Sequence, residues 1–336
     1  MKIGKFKLNK NFKPYIIAEA GVAHYGNYGL AKKLVDIAKY SGAHAVKFQA
    51  YKTDEFINKK FKKWYERYKI KEINLNFLRK IKSYCKKKNI EFLCTPHSET
   101  AIEWLKYLKV PAFKVGSGDL GNFEFLRKII KLNKPLIIST GMHEYKDLIN
   151  LKKFLKKQNF NKFIILYCCT VYPATSRQIN LNRINLIKSI FKKNYFGYSD
   201  HSNNNLAILG SVFLGASIIE KHIAIKFNDK RSQDWKVSFN KHDFLKMNEK
   251  IKNISQLMRK SEKYISQEEI GQKIWAQKSI YIKEKKYLNE KLKLKDLKFM
   301  RPGDGVHCSL VKEVVGKRLK LNLKKNHKLK FSDLKK

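Results

Sequence analysis

Up to about residue 260, one pattern occurs eight times along this chain: a short apolar run rich in β-branched and aromatic residues, a polar turn, and a longer segment of helical period. The runs are YIIAE at 15–19, AVKFQ at 45–49, EFLCT at 91–95, AFKVG at 112–116, PLIIS at 135–139, FIILYC at 163–168, YFGYS at 195–199 and SIIEK at 217–221. The segments between them are amphipathic. GLAKKLVDIAKYSG closes on Gly42, a helix-stop signal. NFEFLRKIIKLN and NLAILGSVFLG are others. Eight alternating βα units predict an α/β protein and, within that class, a (β/α)8 TIM barrel rather than an open doubly wound sheet. A dinucleotide-binding sheet would carry G-x-G-x-x-G after its first strand; AEAGVAHYGNYG stands there and does not fit. The barrel is expected over residues 1–262.

The pattern then changes. Residues 261–276, SEKYISQEEIGQKIWA, are polar without a clear stripe, and 263–276 reads as a linker. Residues 277–336 are short and strand-like, with a weak echo between KLKLKDLK at 291–298 and KLKFSDLK at 328–335. This predicts a small α+β or mostly β module, too small to be the catalytic body and suited to a lid, cap or assembly role.

Composition narrows the function. No run of about 18 apolar residues occurs, so no membrane span is expected. The N-terminal MKIGKFKLNKNFKPY has charge but no apolar core, so it does not read as a secretory signal, and a cytoplasmic protein is expected. The five cysteines lack paired spacing; Cys168 and Cys169 sit in an apolar run, and the set reads as reduced and mostly buried. A formal charge of +45 invites a nucleic-acid reading, but only nine of the 73 basic residues are arginine, and the lysines are spread over the whole chain. No nucleic-acid partner is expected. Such charge gives non-specific attraction and would also draw in an anionic substrate.

Barrel chemistry sits at the C-terminal ends of the strands. There the chain places Glu19, Gly21 and His24; Lys47 and Gln49; TPHS; Lys114, Ser117 and Asp119; Ser139, Thr140 and Gly141; Thr170 and Tyr172; Ser199, Asp200 and His201; Glu220 and His222. Taken singly, each has an ordinary structural explanation; convergence of eight strands on one mouth weakens it. Lys47, Lys114, Ser117, Ser139 and Ser199, beside the turns GSGD and STGM, make a site for a small polyanion carrying phosphate and carboxylate. His201 and His222 end neighbouring strands, within reach of one ion. Two protein ligands leave an open, oxygen-rich shell, suited to Mn²⁺, Mg²⁺ or Co²⁺ rather than structural Zn²⁺. Glu19 and Asp200 are nearby carboxylates for proton transfer or for orienting a ligand.

IIAEAGVAHYGN, AVKFQAYKTDEF, FLCTPHS, PAFKVGSGDLGN, KPLIISTGM, YPA, GYSDHS, GASIIEKHI and MRPGDGV, in this order from about residue 14 onward, resemble the sialic acid (N-acetylneuraminate) synthase family, which includes legionaminic and pseudaminic acid synthases. The tail with RPGDG resembles the antifreeze-like (SAF) domain that follows the barrel there. The resemblance implies condensation of phosphoenolpyruvate with an N-acetylmannosamine-like hexosamine to a nine-carbon 2-keto acid, with release of phosphate. It implies that Lys47, Lys114, Ser117, Ser139 and Ser199 hold phosphoenolpyruvate. His201 and His222 would bind the divalent metal, Mn²⁺ first among the candidates, and with Glu19 would form the catalytic set. Glu19, Tyr172 and Asp234 would contact the sugar, and Arg301 would reach it from the C-terminal module of the partner chain in a domain-swapped homodimer. The chain departs from the family pattern at Ala23, Tyr25, Thr170 and Gln233, and TPH replaces the common TPF. The departures lie on the sugar side, so a 2,4-diacetamido-6-deoxy hexose is as good a candidate acceptor. The alternative is another phosphoenolpyruvate–aldose synthase on a TIM barrel, against which Arg301 in its module argues; a binding protein on an inactive barrel is opposed by the retained lysines and histidines.

Overall fold

Side chains alternate between the two faces of a strand, so every second residue of a barrel strand points to the axis. The computed structural model describes residues 1–9, 11–192, 194–226, 234–259 and 264–335. All eight expected strands are present: β1 Tyr15–Gly21, β2 Ala45–Ala50, β3 Glu91–Pro96, β4 Phe113–Val115, β5 Leu136–Ser139, β6 Phe163–Cys168, β7 Tyr195–Asp200 and β8 Ile218–His222. They form one parallel sheet in the order β3-β2-β1-β8-β7-β6-β5-β4. The first and last strands of the pattern pair with each other, Ile218 opposite Tyr15 and His222 opposite Glu19, and β3 lies against β4 at the seam. That closure separates a barrel from an open sheet.

The helices form the outer layer, and their ends follow the local chemistry. Helix α1, Tyr28–Tyr40, starts where the Asn27 side chain accepts the Leu30 N–H at 2.9 Å and stops before Gly42, whose φ of +77° suits glycine. Helix α2, Leu75–Lys87, is capped in the same way by Asn74. The outward residues of the strands, such as Ile16, Ala18, Val46 and Phe48, pack with buried helix residues such as Leu34, Leu78 and Ile81 in one large core.

The inner face has two levels. Tyr15, Ile17, Ala45, Leu93, Ile137, Ile164 and Ile218 fill the lower level with apolar side chains. A short antiparallel hairpin, Lys2–Ile3 with Phe6–Lys7, delivers Ile3 and Leu8 into that cluster and closes the base. The sequence reading did not find this hairpin, because two-residue strands carry no periodic signal. Gly197 on β7 has no space for a side chain: a Cβ there would lie 2.4 Å from the Ile218 carbonyl oxygen.

The described chain divides into units 1–259 and 260–336. In the second, part of the stretch read as a linker is a ten-residue helix, Gln267–Ala276. Ser266 and Glu269 form its capping box, a signal present in SQEE that the absence of an apolar stripe overshadowed. Strands β9, Ser279–Ile282, and β10, Leu297–Met300, pair antiparallel over a core that includes Ile280, Ile282, Val314 and Leu329. The weak sequence echo has a structural counterpart. Asp296 and Asp333 each close a single 3-10 turn by accepting the backbone N–H three residues back, from Lys293 and Lys330. No helix of the described residues is long and apolar enough to cross a membrane.

Candidate active site

The upper level of the inner face is polar, and it continues the same alternation. Above Ile17 stands Glu19, above Ala45 stands Lys47, above Ile137 stands Ser139, and above Ile218 stand Glu220 and His222. They line a cavity of about 560 Å³ at the C-terminal mouth, joined by Lys114, Ser117, Tyr172, Ser199, His201 and Asp234. Every predicted barrel residue of the anion, metal and sugar sets is therefore in one place.

Four buried charges meet in its floor. Lys47 Nζ lies 2.7 Å from Glu19 Oε2 and donates to Thr95 Oγ1 at 3.0 Å. Gln49 donates to the other oxygen of Glu19 at 2.9 Å. Lys114 Nζ donates to Ser139 Oγ at 2.6 Å. Glu220 stands between the lysines, 3.7 Å from Lys47 and 3.8 Å from Lys114, and accepts from Ser199 Oγ at 3.0 Å. Burial pushes Glu220 up, but Lys114, Lys47 and the Ser199 hydroxyl outweigh it and hold the carboxyl below its ordinary range. Burial raises Glu19 above its ordinary range in spite of Lys47. Lys114 falls below the usual lysine value because burial disfavours its charge. The expected pair of ammonium groups is thus balanced by two carboxylates, of which Glu220 had been assigned no role from sequence.

The Gly141 N–H donates to Ser117 Oγ at 2.9 Å, tying the GSGD turn to the STGM turn. A side chain at Gly141 would meet Thr170 Cγ2 at 2.6 Å and Ser117 Oγ at 3.0 Å, so the packing of these two side chains on the turn favours glycine.

The two histidines are neighbours, with ring centroids 5.4 Å apart. His201 Nδ1 donates to the Cys169 carbonyl at 2.7 Å, which leaves Nε2 as the acceptor of the Tyr172 hydroxyl at 2.9 Å. Tyr172 also stacks on His201 at 4.1 Å. His222 Nδ1 lies 3.7 Å from Asp234 Oδ2. Burial lowers His201 to about 4 and His222 well below its ordinary value, so both rings are neutral near pH 7. Burial, reinforced by Glu19, raises Asp234 to about 7. Neutral imidazoles are the donor form a divalent cation needs, and two of them fit an open shell; at His201 a cation would take the place of the Tyr172 hydroxyl on Nε2. Among the described residues no group of three His, Cys, Asp or Glu side chains is placed to cage a metal.

Some expectations are corrected. Asp200 does not line the cavity. It faces outward, paired with Lys221 at 2.5 Å and accepting from Tyr198 and Ser202, so it is not placed to serve the site in proton transfer. His24 is fully buried away from the cavity, its Nδ1 accepting the Gly26 N–H. Ala23 is buried outside the cavity lining, Thr170 lines the cavity, and Gln233 falls outside the described residues. Arg301 belongs to the second unit, where its guanidinium lies 4.7 Å from the centre of the Trp275 ring. Sequence reasoning also missed an aromatic wall. Two short helices after β2, Thr53–Phe56 and Lys62–Lys69, bring Phe56, Trp64 and Tyr68 to the mouth.

Residues 34–263 match the model of the NeuB family. The chain belongs to the NeuB family. Among NeuB-family relatives, it is 34% identical to the N,N'-diacetyllegionaminic acid synthase of Campylobacter jejuni, over 94% of this chain and 98% of that one. It is 29% identical to a pseudaminic acid synthase of the same species, over 99% of both chains. The crystal structure of an N-acetylneuraminic acid (sialic acid) synthetase from Leptospira borgpetersenii, in complex with citrate, superposes with a TM-score of 0.75 at 29% identity, covering 81% of this chain and 94% of that one.

Proposed function

We propose that this NeuB-family chain is a nonulosonic acid synthase, a transferase that condenses phosphoenolpyruvate with an N-acyl hexosamine. C3 of phosphoenolpyruvate bonds to the aldehyde carbon of the open-chain sugar, and the aldehyde oxygen becomes a hydroxyl. Water adds at C2, the C2–O bond to phosphate breaks, and a nine-carbon 2-keto acid and phosphate result. The observation that carries this reading is the meeting of Lys47, Lys114 and three serine hydroxyls with two neutral imidazoles in one barrel mouth.

In this reading Lys47, Lys114, Ser117, Ser139 and Ser199 receive phosphoenolpyruvate, whose charge takes over ammonium groups now shared with Glu19 and Glu220. Glu19, Tyr172 and Asp234 contact the sugar. His201 and His222 would hold a divalent cation, Mn²⁺ before Mg²⁺ or Co²⁺, and the cation would polarise the aldehyde as a Lewis acid. Holding two small reactants at attack distance supplies roughly 7–11 kcal/mol of the barrier. The second unit is read as the antifreeze-like (SAF) domain, with Arg301 reaching the sugar of the partner's site in a homodimer. The resemblance to a legionaminic acid synthase supports a 2,4-diacetamido-6-deoxy hexose as acceptor, and the enzyme is assigned to the cytoplasm.

The test is phosphate release and product mass from phosphoenolpyruvate, Mn²⁺ and a panel of hexosamines. Sugar-dependent phosphate release with a nine-carbon acid is expected. No release with any hexosamine would sink the assignment.

A further inference from the structure

One polar side chain on the cavity wall, paired with a carboxylate behind it, has no part in the site described above. His97, just past the end of β3, makes an Nδ1–H···Oδ2 hydrogen bond of 3.0 Å to Asp119. Both are mostly buried, with 16% and 17% of their side-chain surfaces exposed. The ring is fixed from three sides. Its backbone N–H donates to the Ala50 carbonyl at 2.9 Å. Phe56 stacks on it with ring centroids 5.1 Å apart. Its Cε1 lies 3.2 Å from the point a Cβ on Gly116 would occupy, so it borders the turn Gly116–Ser117–Gly118 directly. A side chain at Gly118, by contrast, would meet nothing within 4 Å, so the turn is open there.

Asp119 decides which nitrogen of His97 is available. A carboxylate that accepts from Nδ1 leaves Nε2 as the free ring nitrogen. Among the described residues no hydrogen bond is made by Nε2, and His97 lines the cavity. With Nδ1 held by Asp119 and the ring stacked on Phe56, Nε2 is the ring nitrogen left to meet an anion bound beside the glycine-rich turn.

We propose that His97, oriented by Asp119, is an additional ligand for the phosphate group that binds over the Gly116–Ser117–Gly118 turn. The inference builds on the assignment of that turn to phosphoenolpyruvate. It goes further by giving the phosphate a contact from β3, next to Lys47 on β2 and Lys114 on β4. His97 touches the ligand; Asp119 is a positioning residue that acts through it.

The probe is inorganic phosphate, titrated into the full-length wild-type chain and the variants His97→Phe and Asp119→Asn by calorimetry. Phenylalanine keeps the stacking on Phe56 and removes the donor. Loss of one charge-assisted hydrogen bond predicts about tenfold weaker phosphate binding in His97→Phe, with a smaller loss in Asp119→Asn. In turnover, the KM for phosphoenolpyruvate rises with it while the KM for the sugar stays within about twofold. A purely structural His97 would lower the melting temperature and disturb both substrates alike. Equal phosphate affinity in wild type and His97→Phe, or no phosphate binding by the wild type, overturns the inference. If His97→Phe does not fold, Asp119→Asn and His97→Asn carry the same comparison. Failure of the synthase assignment is separable: it shows as no turnover with any hexosamine, whereas the phosphate titration needs no turnover.

Discussion

Glu220 sits 3.7 Å from Lys47 Nζ and 3.8 Å from Lys114 Nζ, so one carboxylate bridges both ammonium groups of the barrel floor. The inward positions of β8 alternate Ile218, Glu220 and His222, which places this carboxylate one step below the imidazole. An anionic substrate entering the cavity competes with Glu220 for the same two cations.

Glu220→Gln keeps the size of the side chain and removes that competitor. Among the described residues Lys47 then keeps only Glu19, and Lys114 has no carboxylate within 4 Å. Removing one partner of a buried charge network costs about 3–5 kcal/mol. Added phosphate should restore more stability to the variant than to the wild type, because it replaces the missing charge. Thermal unfolding with and without phosphate reads this; equal shifts in both proteins would refute it.

Lys221 and Asp200 form a second buried pair, 2.5 Å apart, on the outward side of β8 and β7. Lys221 also lies 4.2 Å from the centre of the Phe239 ring. Asp200→Ala should cost about 3–5 kcal/mol of stability by stranding the lysine. Its folded fraction should keep most of its kcat. A large fall in kcat at wild-type stability would instead return Asp200 to the chemistry.

The metal reading predicts a binding defect independent of turnover. His222→Ala and His201→Ala should each weaken Mn²⁺ binding at least about a hundredfold, since two protein ligands leave only one after substitution. Titration of free Mn²⁺ by electron paramagnetic resonance measures it. Wild-type affinity in either variant would exclude the paired-histidine site.

Acid stability should depend on His44. Its Nδ1 accepts the Ile16 N–H at 2.9 Å, and its ring packs between Phe6 and Tyr15, at centroid distances of 4.6 and 5.4 Å. Burial lowers it from 6.5 to about 4. The folded state therefore holds His44 neutral while the unfolded chain takes up a proton below pH 6.5. The stability this confers is complete above that pH and is lost as pH falls from 6.5 towards 4, by at most roughly 3 kcal/mol. His24, lowered to about 4 by burial and then by Lys71, adds a loss of the same sign. Urea unfolding of wild type and His44→Asn at pH 7.5 and pH 5 checks the assignment: the variant should show the shallower dependence.

The exchanged-domain reading predicts complementation. Lys47→Ala and Arg301→Ala chains, each weakly active alone, should recover about a quarter of wild-type activity when refolded together, because half the dimers are mixed and each mixed dimer has one intact site. Recovery no greater than the sum of the separate variants would place Arg301 outside the partner's site.

The barrel was legible because its signal has two periods that agree: alternating apolar residues within each run and helical spacing between runs. The same period of two could have sharpened the site. On β7, Gly197 and Ser199 face inward, so Asp200 has the wrong parity for the cavity and His201 the right one. On β8, Glu220 shares parity with His222, and Lys221 does not. Taken as clusters, the strand ends admit Asp200 and give Glu220 no role; parity reverses both. The Thr53–Phe56 and Lys62–Lys69 helices were harder to see, since they are short and Lys62–Lys69 buries no residue. The contact between His97 and Asp119 spans 22 residues and depends on barrel curvature, which no local pattern encodes.

The hairpin that brings Ile3 and Leu8 beneath Tyr15 and Ile17 also limits traffic. With the apolar lower level filled and the hairpin beneath it, the barrel is a cup and not a tube. Whatever enters at the C-terminal rim must come out over the same rim. In the proposed reading, a small anion received by the lysines would lie deepest, beneath any larger molecule above it. Unloading would then proceed from the top, the bulkier occupant clearing the way for the smaller one.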